Sequence, residues 1–251
     1  MLAGLTLGLV TGTLLGLLGG GGSIIAVPIL VYVAGLETKI AIGTSLLIVG
    51  LASILAALIH YRNRQLVVNI AIFFGLAGMM GSFAGAFTAH FVPGAVQLAL
   101  FSCLMFVIGL IMFGKDKNSV EKENCMDYSA KRTTSVIFSG AGAGFLTGLL
   151  GVGGGFIIVP ALSMVLGLPI KKAIGTSLVI IGFNSIAGAL AYSSQIRLGG
   201  MVNAYAAGTL VAAPVAGYFA YKIEQSRLKR SFAIFLMVLS TWMIAKQFIP
   251  V

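Results

Sequence analysis

Long apolar runs dominate the chain, and short polar segments separate them. Six runs carry almost no formal charge, and most reach the roughly 20 residues that a membrane-spanning helix needs. They are Ala41–Ile59, Leu66–Ala89, Ala95–Phe113, Ala173–Ala191, Leu198–Tyr221 and Ser231–Ala245. Two longer runs, Met1–Leu36 and Thr133–Leu168, each contain a glycine cluster. The pattern predicts an all-α polytopic membrane protein.

The chain also repeats itself at an offset of 132 residues. The matching blocks are Gly16–Gly22 with Gly148–Gly154, Val27-Pro28 with Val159-Pro160, and Ala41–Leu46 with Ala173–Leu178. Internal duplication in an apolar chain is typical of transporter folds, whose site lies between the repeats near the bilayer midplane. We therefore expect a transmembrane repeat at 1–114, a linker at 115–132 and a second transmembrane repeat at 133–251.

The basic residues predict how the repeats are oriented. Four simple spans per half would put nine Lys and Arg on one face and seven on the other. If the first run of each half dips in and returns, the split becomes thirteen against three. Membrane insertion favours a strong excess of Lys and Arg on one face. We expect two inverted repeats, each with a glycine-broken re-entrant or discontinuous first segment followed by three transmembrane helices. Both termini then lie outside, and the linker 115–132 is cytoplasmic.

Composition narrows the function classes. Hydrophobic residues make up 59% of the chain and charged residues 9%, against about 25% charged residues in soluble domains. The net charge of +10 mostly reflects the cytoplasmic bias, so no nucleic-acid partner is expected. The acidic residues all lie between the apolar runs. The expected partners are the bilayer and a small anion, with no cofactor, no metal and no enzymatic activity. A homo-oligomer stays open.

Contiguous glycines mark the candidate site. Gly19–Gly22 and the cluster Gly151 with Gly153–Gly155 make poor helix, because Gly costs about 1 kcal/mol relative to Ala. An apolar stretch able to resume a helix follows each cluster. Exposed N–H groups at such a helix start suit an anion. The alternative is a flexible elbow without a ligand.

Polar residues after the clusters extend this hypothesis. Thr44-Ser45 and Thr176-Ser177 either cap helices or donate hydrogen bonds to an oxyanion. Asn184, which replaces Ala52 of the first copy, is either a clamp between helices or a ligand contact. The candidate substrate-binding residues are Gly20, Gly21, Gly22, Ser23, Thr44, Ser45, Gly153, Gly154, Gly155, Thr176, Ser177 and Asn184.

The paired glycine, Val-Pro and Ala-Ile-Gly-Thr-Ser-Leu blocks resemble the TauE/SafE family of sulfite exporters, also called the TSUP permeases. The resemblance covers nearly the whole chain. It implies an inner-membrane transporter, with export favoured, for small sulfur-containing anions such as sulfite or organosulfonates. Together with the duplication, it predicts alternating access. An anion channel, or a permease for another small oxyanion, is the alternative.

Overall fold

The computed structural model describes residues 1–114, 130–151, 153–220 and 225–248, and these residues form helices without β-strands. The helices are α1 (Leu2–Leu18), α2 (Gly21–Pro28), α3 (Thr38–Arg62), α4 (Val68–Ala89), α5 (Gly94–Gly114), α6 (Ala130–Leu150), α7 (Gly155–Pro160), α8 (Ile170–Ala191), α9 (Gly200–Ala220) and α10 (Gln225–Phe248). Most of the predicted linker 115–132 lies outside the described residues, and α6 already begins at Ala130.

Each long first run is broken into two helices at its glycines. Gly19 follows α1 with φ 67°, and Gly151 follows α6 with φ 68°. Only glycine adopts this left-handed conformation without steric cost, and it commonly ends helices. The N–H of Gly19 donates to Leu15 O at 2.9 Å, and that of Gly151 donates to Thr147 O at 2.8 Å. The same local structure therefore ends both helices.

The returning helices α2 and α7 also share one ending. Pro28 and Pro160 close them, and a five-residue π-helical turn follows each proline, at Ile29–Val33 and at Ala161–Val165. Proline has no N–H to continue the helical ladder. The duplication in sequence is thus matched by a duplication in irregular backbone.

Glycines every four residues bring two pairs of helices into backbone contact. Gly4, Gly8, Gly12 and Gly16 of α1 lie against the carbonyl groups of Met201, Tyr205, Thr209 and Ala213 of α9. In the second pair, Gly140, Gly144 and Gly148 of α6 lie against Phe74, Gly78 and Ser82 of α4. Residue numbers rise together in both pairs, so the helices within each pair run parallel. Small residues allow this close approach.

Counterpart helices α3 and α8 cross in the middle of the molecule. Gly50 lies against Ser185, and Gly182 lies against Ile54, so the two helices run antiparallel. Over the 18-residue apolar stretch of each helix, 67% of α3 and 78% of α8 are buried, compared with 33% of the outer helix α5. The other contacts are reciprocal: α4 packs on α8 as α9 packs on α3, and α5 pairs with its counterpart α10.

The chain reverses between α1 and α3. Thr44 is bonded to Arg197 just before α9, and His60 lies beside Gly217 near the end of α9, so α3 runs parallel to α9. Helix α1 is also parallel to α9. Because α1 and α3 point the same way, α2 and its π-helical turn run back between them.

The outer surface is apolar. Four of the described helices are long and apolar enough to cross a membrane: α3, α4, α8 and the Gly94–Ile111 part of α5. Large side chains such as Met80, Phe87 and Phe138 are more than half exposed on the outside, which suits a lipid environment. Together with the composition, this confirms an all-α polytopic membrane protein.

Candidate functional site

The two glycine breaks touch each other. A methyl group added to Gly20 would collide with the backbone of Gly155. One added to Gly155 would collide with the Cα of Gly20 and would lie 2.9 Å from the carbonyl oxygen of Gly19. Glycine is required here because two backbones meet without room for a side chain. Two segments that lie 132 residues apart in sequence thus form one junction.

The junction lies at mid-height of the central helices. A methyl group added to Gly153 would lie 2.8 Å from Val49 of α3 and 3.3 Å from Ile181 of α8. Val49 and Ile181 are near the middle of Thr38–Arg62 and Ile170–Ala191. Irregular backbone at this height is tolerated only where protein covers it or where it lines a cavity.

Two serines tie the junction to the opposite half. Ser45 Oγ on α3 donates to Gly151 O at 2.9 Å, and Ser177 Oγ on α8 donates to Gly19 O at 3.1 Å. Each hydroxyl also lies within hydrogen-bond distance of a carbonyl in its own helix. The sequence predicts these serines to be either helix caps or donors to an anion. In this conformation their hydroxyl groups donate to carbonyl groups of the protein.

The neighbouring threonines bind connecting segments. Thr44 Oγ1 accepts the N–H of Arg197 at 3.1 Å, in the connection that leads to α9. Thr176 Oγ1 accepts the N–H of Val67 at 3.1 Å, in the connection that leads to α4. Both side chains are fully buried. The structure therefore gives the two threonines a common role in holding the ends of the bundle together.

Other predicted glycines close the hairpins within each half. A methyl group on Gly22 would meet the backbone of Thr11 and the side chain of Leu15 in α1. A methyl group on Gly154, whose φ is 70°, would collide with Thr147 in α6. Gly21 has only the side chain of Leu18 closer than 3.4 Å to its added methyl group.

Helix α2 begins beside the junction, directly after Gly20. This helix begins at Gly21, and its first N–H groups, through Ser23, lack partners within the helix. Ser23 Oγ donates to Gly20 O at 2.7 Å and steadies this first turn. In the second half, Gly154 O accepts from both Ile157 and Ile158 at 2.9 Å. The junction thus offers N–H groups and no formal charge.

Three polar side chains near the junction have atoms without a hydrogen-bond partner among the described residues. They are Ser53 Oγ, Ser185 Oγ and both amide atoms of Asn184, and all three residues are fully buried. Asn184 belongs to the predicted set, whereas Ser53 and Ser185 were left out of it. Their match across the 132-residue offset, inside apolar runs, was the available signal.

The buried His60 connects two helices. His60, which is buried near the end of α3, has Nδ1 2.9 Å from Gln65 Oε1 and Nε2 3.4 Å from Gly16 O. It joins the end of α1 to α3. Among the described residues, no three His, Cys, Asp or Glu side chains group in a way that could hold a metal ion.

This architecture defines the protein first as a duplicated, glycine-broken helical membrane protein. The family model described as "Sulfite exporter TauE/SafE" matches residues 4–243. The chain therefore belongs to the TauE/SafE family, as its sequence blocks predicted.

Several relatives carry the name "Probable membrane transporter protein". The one from Xylella fastidiosa strain Temecula1 is 37% identical over 175 residues, which cover 68% of this chain and 66% of that protein. MJ0441 from Methanocaldococcus jannaschii is 30% identical, over 74% of this chain and 69% of its own. A Haemophilus influenzae relative is 27% identical, over 96% of this chain and 97% of its own. No solved structure matches the chain significantly.

Proposed function

We propose that this protein is a secondary transporter that exports small sulfur-containing anions, such as sulfite or organosulfonates, by alternating access. The observation that carries the proposal is the junction of Gly20 and Gly155, where two broken segments meet at mid-height between the central helices. Broken helices that meet between duplicated halves are typical of substrate sites in secondary transporters. The family and the names of the relatives support transport.

The proposed topology is a pair of inverted repeats. Two counterparts that run antiparallel, α3 and α8, support it, as does the reversal between α1 and α3. Connections near the start of α3 gather at one end, since Lys39 Nζ donates to His90 O at 3.0 Å and Thr44 binds Arg197. We assign this end, where basic residues are few, to the outside of the inner membrane, together with both termini.

The proposed site uses neutral donors. The predicted set around the junction (Gly20–Ser23, Thr44, Ser45, Gly153–Gly155, Thr176, Ser177 and Asn184) supplies backbone N–H groups, hydroxyls and one amide. Such groups replace the hydration of a small anion without burying a Lys or Arg, so they allow both binding and release.

Substrate access requires the junction to open. Gly20 and Gly155 are in direct contact, and Ser45 and Ser177 bind carbonyls of the opposite break. An anion that enters between the breaks offers its oxygens to the same hydroxyls. Exchange of these two hydrogen bonds is therefore our proposed step between closed and substrate-bound states.

Counterflow in proteoliposomes tests the function. Vesicles loaded with unlabelled sulfite should accumulate labelled sulfite, and methanesulfonate should compete whereas choline should not. Accumulation against the gradient distinguishes a carrier from an anion channel, which gives only equilibration. Failure of sulfite, sulfoacetate and thiosulfate to exchange in correctly inserted protein would overturn the proposal.

A further inference from the structure

We infer that Ser53, Asn184 and Ser185 form the pocket that selects the substrate, and that this pocket accepts a singly charged oxyanion in preference to a dianion. We call these three residues the central polar crossing. The inference rests on the proposed transport function and deepens it. It identifies the side chains that determine anion selectivity and the net charge of the preferred anion.

The central polar crossing lies where α3 and α8 meet. The Cβ of Ser185 is 3.1 Å from a methyl group built on Gly50, and Ile54 Cγ1 is 2.7 Å from one built on Gly182. Ser53 lies between Gly50 and Ile54, and Asn184 lies between Gly182 and Ser185. Ser53 and Ser185 therefore lie at the contact between the central helices, and the amide of Asn184, next to Ser185 in sequence, lies beside Gly78 of α4.

The crossing also continues the helix faces that meet the glycine junction. On α8, Ser177 binds Gly19 and Ile181 lies against Gly155, and Asn184 and Ser185 follow at intervals of three and four residues. Residues three or four apart share a helix face. On α3, Ser45, Val49 and Ser53 follow the same spacing. An anion at the junction therefore lies one turn or less from these side chains.

The unsatisfied atoms point to a ligand. Within the described part of the chain, both amide atoms of Asn184 and both serine hydroxyls are buried without a partner. Burying such groups unpaired is costly, so they normally find partners. Together they supply two hydroxyl donors and a carboxamide, which suits the three oxygens of a sulfite or sulfonate group.

Space for Asn184 is provided by one glycine. A methyl group on Gly78 of α4 would lie 2.5 Å from Asn184 Oδ1 and 2.8 Å from Nδ2. At the counterpart positions, the first repeat has Ala52 in place of Asn184 and the second repeat has Leu210 in place of Gly78, so the small and large residues are exchanged. The amide is thus a feature of one half only, and it makes the pocket asymmetric.

Charge selection follows from the surroundings. Ala41–Ile59 and Ala173–Ala191, which include the crossing, contain no Lys, Arg, Asp or Glu. Dipolar donors can compensate one spread negative charge, but a second buried charge without a cation carries a large desolvation cost. A dianion such as sulfate should therefore bind more weakly than a monoanion of similar shape.

The test is binding of methanesulfonate and sulfate to purified protein, measured by calorimetry. The wild type should bind methanesulfonate at least about tenfold more tightly than sulfate. Asn184→Ala should weaken methanesulfonate binding about fivefold, as expected for one lost hydrogen bond. Gly78→Ala should have a similar effect alone and none in the Asn184→Ala background, because it acts by displacing the amide.

A stability measurement separates a ligand role from a structural one. Removing an unpartnered buried amide should not lower the unfolding temperature, whereas removing a clamp between helices would lower it. Ser102→Ala, which removes a buried hydroxyl bonded within α5 to Leu98 O, is the matched control and should bind normally. If the wild type binds sulfite but the Asn184, Ser53 and Ser185 alanine variants bind and discriminate as it does, this inference fails alone. If the wild type binds no sulfur anion, the proposed function fails with it.

Discussion

At the scale of single residues, Ser45 and Ser177 supply hydrogen-bond partners to the carbonyl groups that the glycine breaks leave unpaired. Ending a helix leaves its last carbonyls without helical partners, and in an apolar interior each unpaired group is costly. Gly151 O and Gly19 O are such carbonyls, and each receives a serine hydroxyl from the opposite half. The two serines therefore join the halves as well as stabilise the breaks.

Replacing either serine should lower stability. Ser45→Ala and Ser177→Ala should each reduce the free energy of unfolding by about 1–3 kcal/mol, because a buried carbonyl loses its partner. The measurement is a denaturation midpoint in detergent. Ser240→Ala is the control, since that hydroxyl binds Met237 O in its own helix. Equal losses of stability in all three variants would show that the bonds of Ser45 to Gly151 and of Ser177 to Gly19 add no more stability than a hydrogen bond within one helix.

The sequence located these residues but could not assign their partners. Glycine clusters and Thr-Ser pairs are visible because they recur at a fixed offset. The acceptor of each hydroxyl is decided by which distant backbone comes near, as with Thr44 and Arg197, 153 residues apart. Ser53 and Ser185 were left out for the same reason, since a missing partner is a property of packing.

At the scale of elements, glycine spacing sets how closely helices approach. Gly140 and Gly144 of α6 face α4, whereas Gly142 on the same helix has nothing within 4 Å of an added methyl group. Hydrophobic pattern alone does not make this distinction, because all three are glycines in one apolar helix.

The alanine variants of two glycines in α6 should therefore differ sharply. Gly144→Ala should destabilise the protein by about 1–3 kcal/mol, as overpacking does, because its methyl group would collide with Gly78. Gly142→Ala should be neutral or slightly stabilising, because Ala is the better helix former. Unfolding in detergent measures both. Comparable losses in the two variants would contradict the contact between α4 and α6.

Apolar runs predicted most helices but not all of their ends. The run Leu198–Tyr221 is close to α9, Gly200–Ala220. The run Ser231–Ala245 is shorter than α10, Gln225–Phe248, because the helix continues into polar residues that hydropathy leaves out. In Met1–Leu36, the pattern showed a break but not that the returning helix ends in a π-helical turn.

At the scale of the whole molecule, the proposed topology predicts which loops share a face. In a background without Cys103 and Cys125, the variants Pro93→Cys and Gly199→Cys should both react with an impermeant thiol label from outside. Both loops lie near the start of α3, through the contacts of Lys39 with His90 and of Thr44 with Arg197. A cytoplasm-active reporter inserted at 118–123 should be active. Labelling of the two cysteines from opposite faces would exclude inverted repeats.

The parallel glycine contacts also determine what can move as one body. Helix α1 is locked backbone to backbone with α9, and α6 is locked in the same way with α4. Each rigid pair contains one helix from each repeat. The bodies that move together are therefore not the two repeats. The two repeats therefore cannot separate as rigid bodies, because separation would break the contacts of α1 with α9 and of α6 with α4. If the chain is cut at the linker and either repeat is produced alone, that repeat lacks the helix of the other repeat on which its own glycine-rich helix packs, so stable folding should require both repeats.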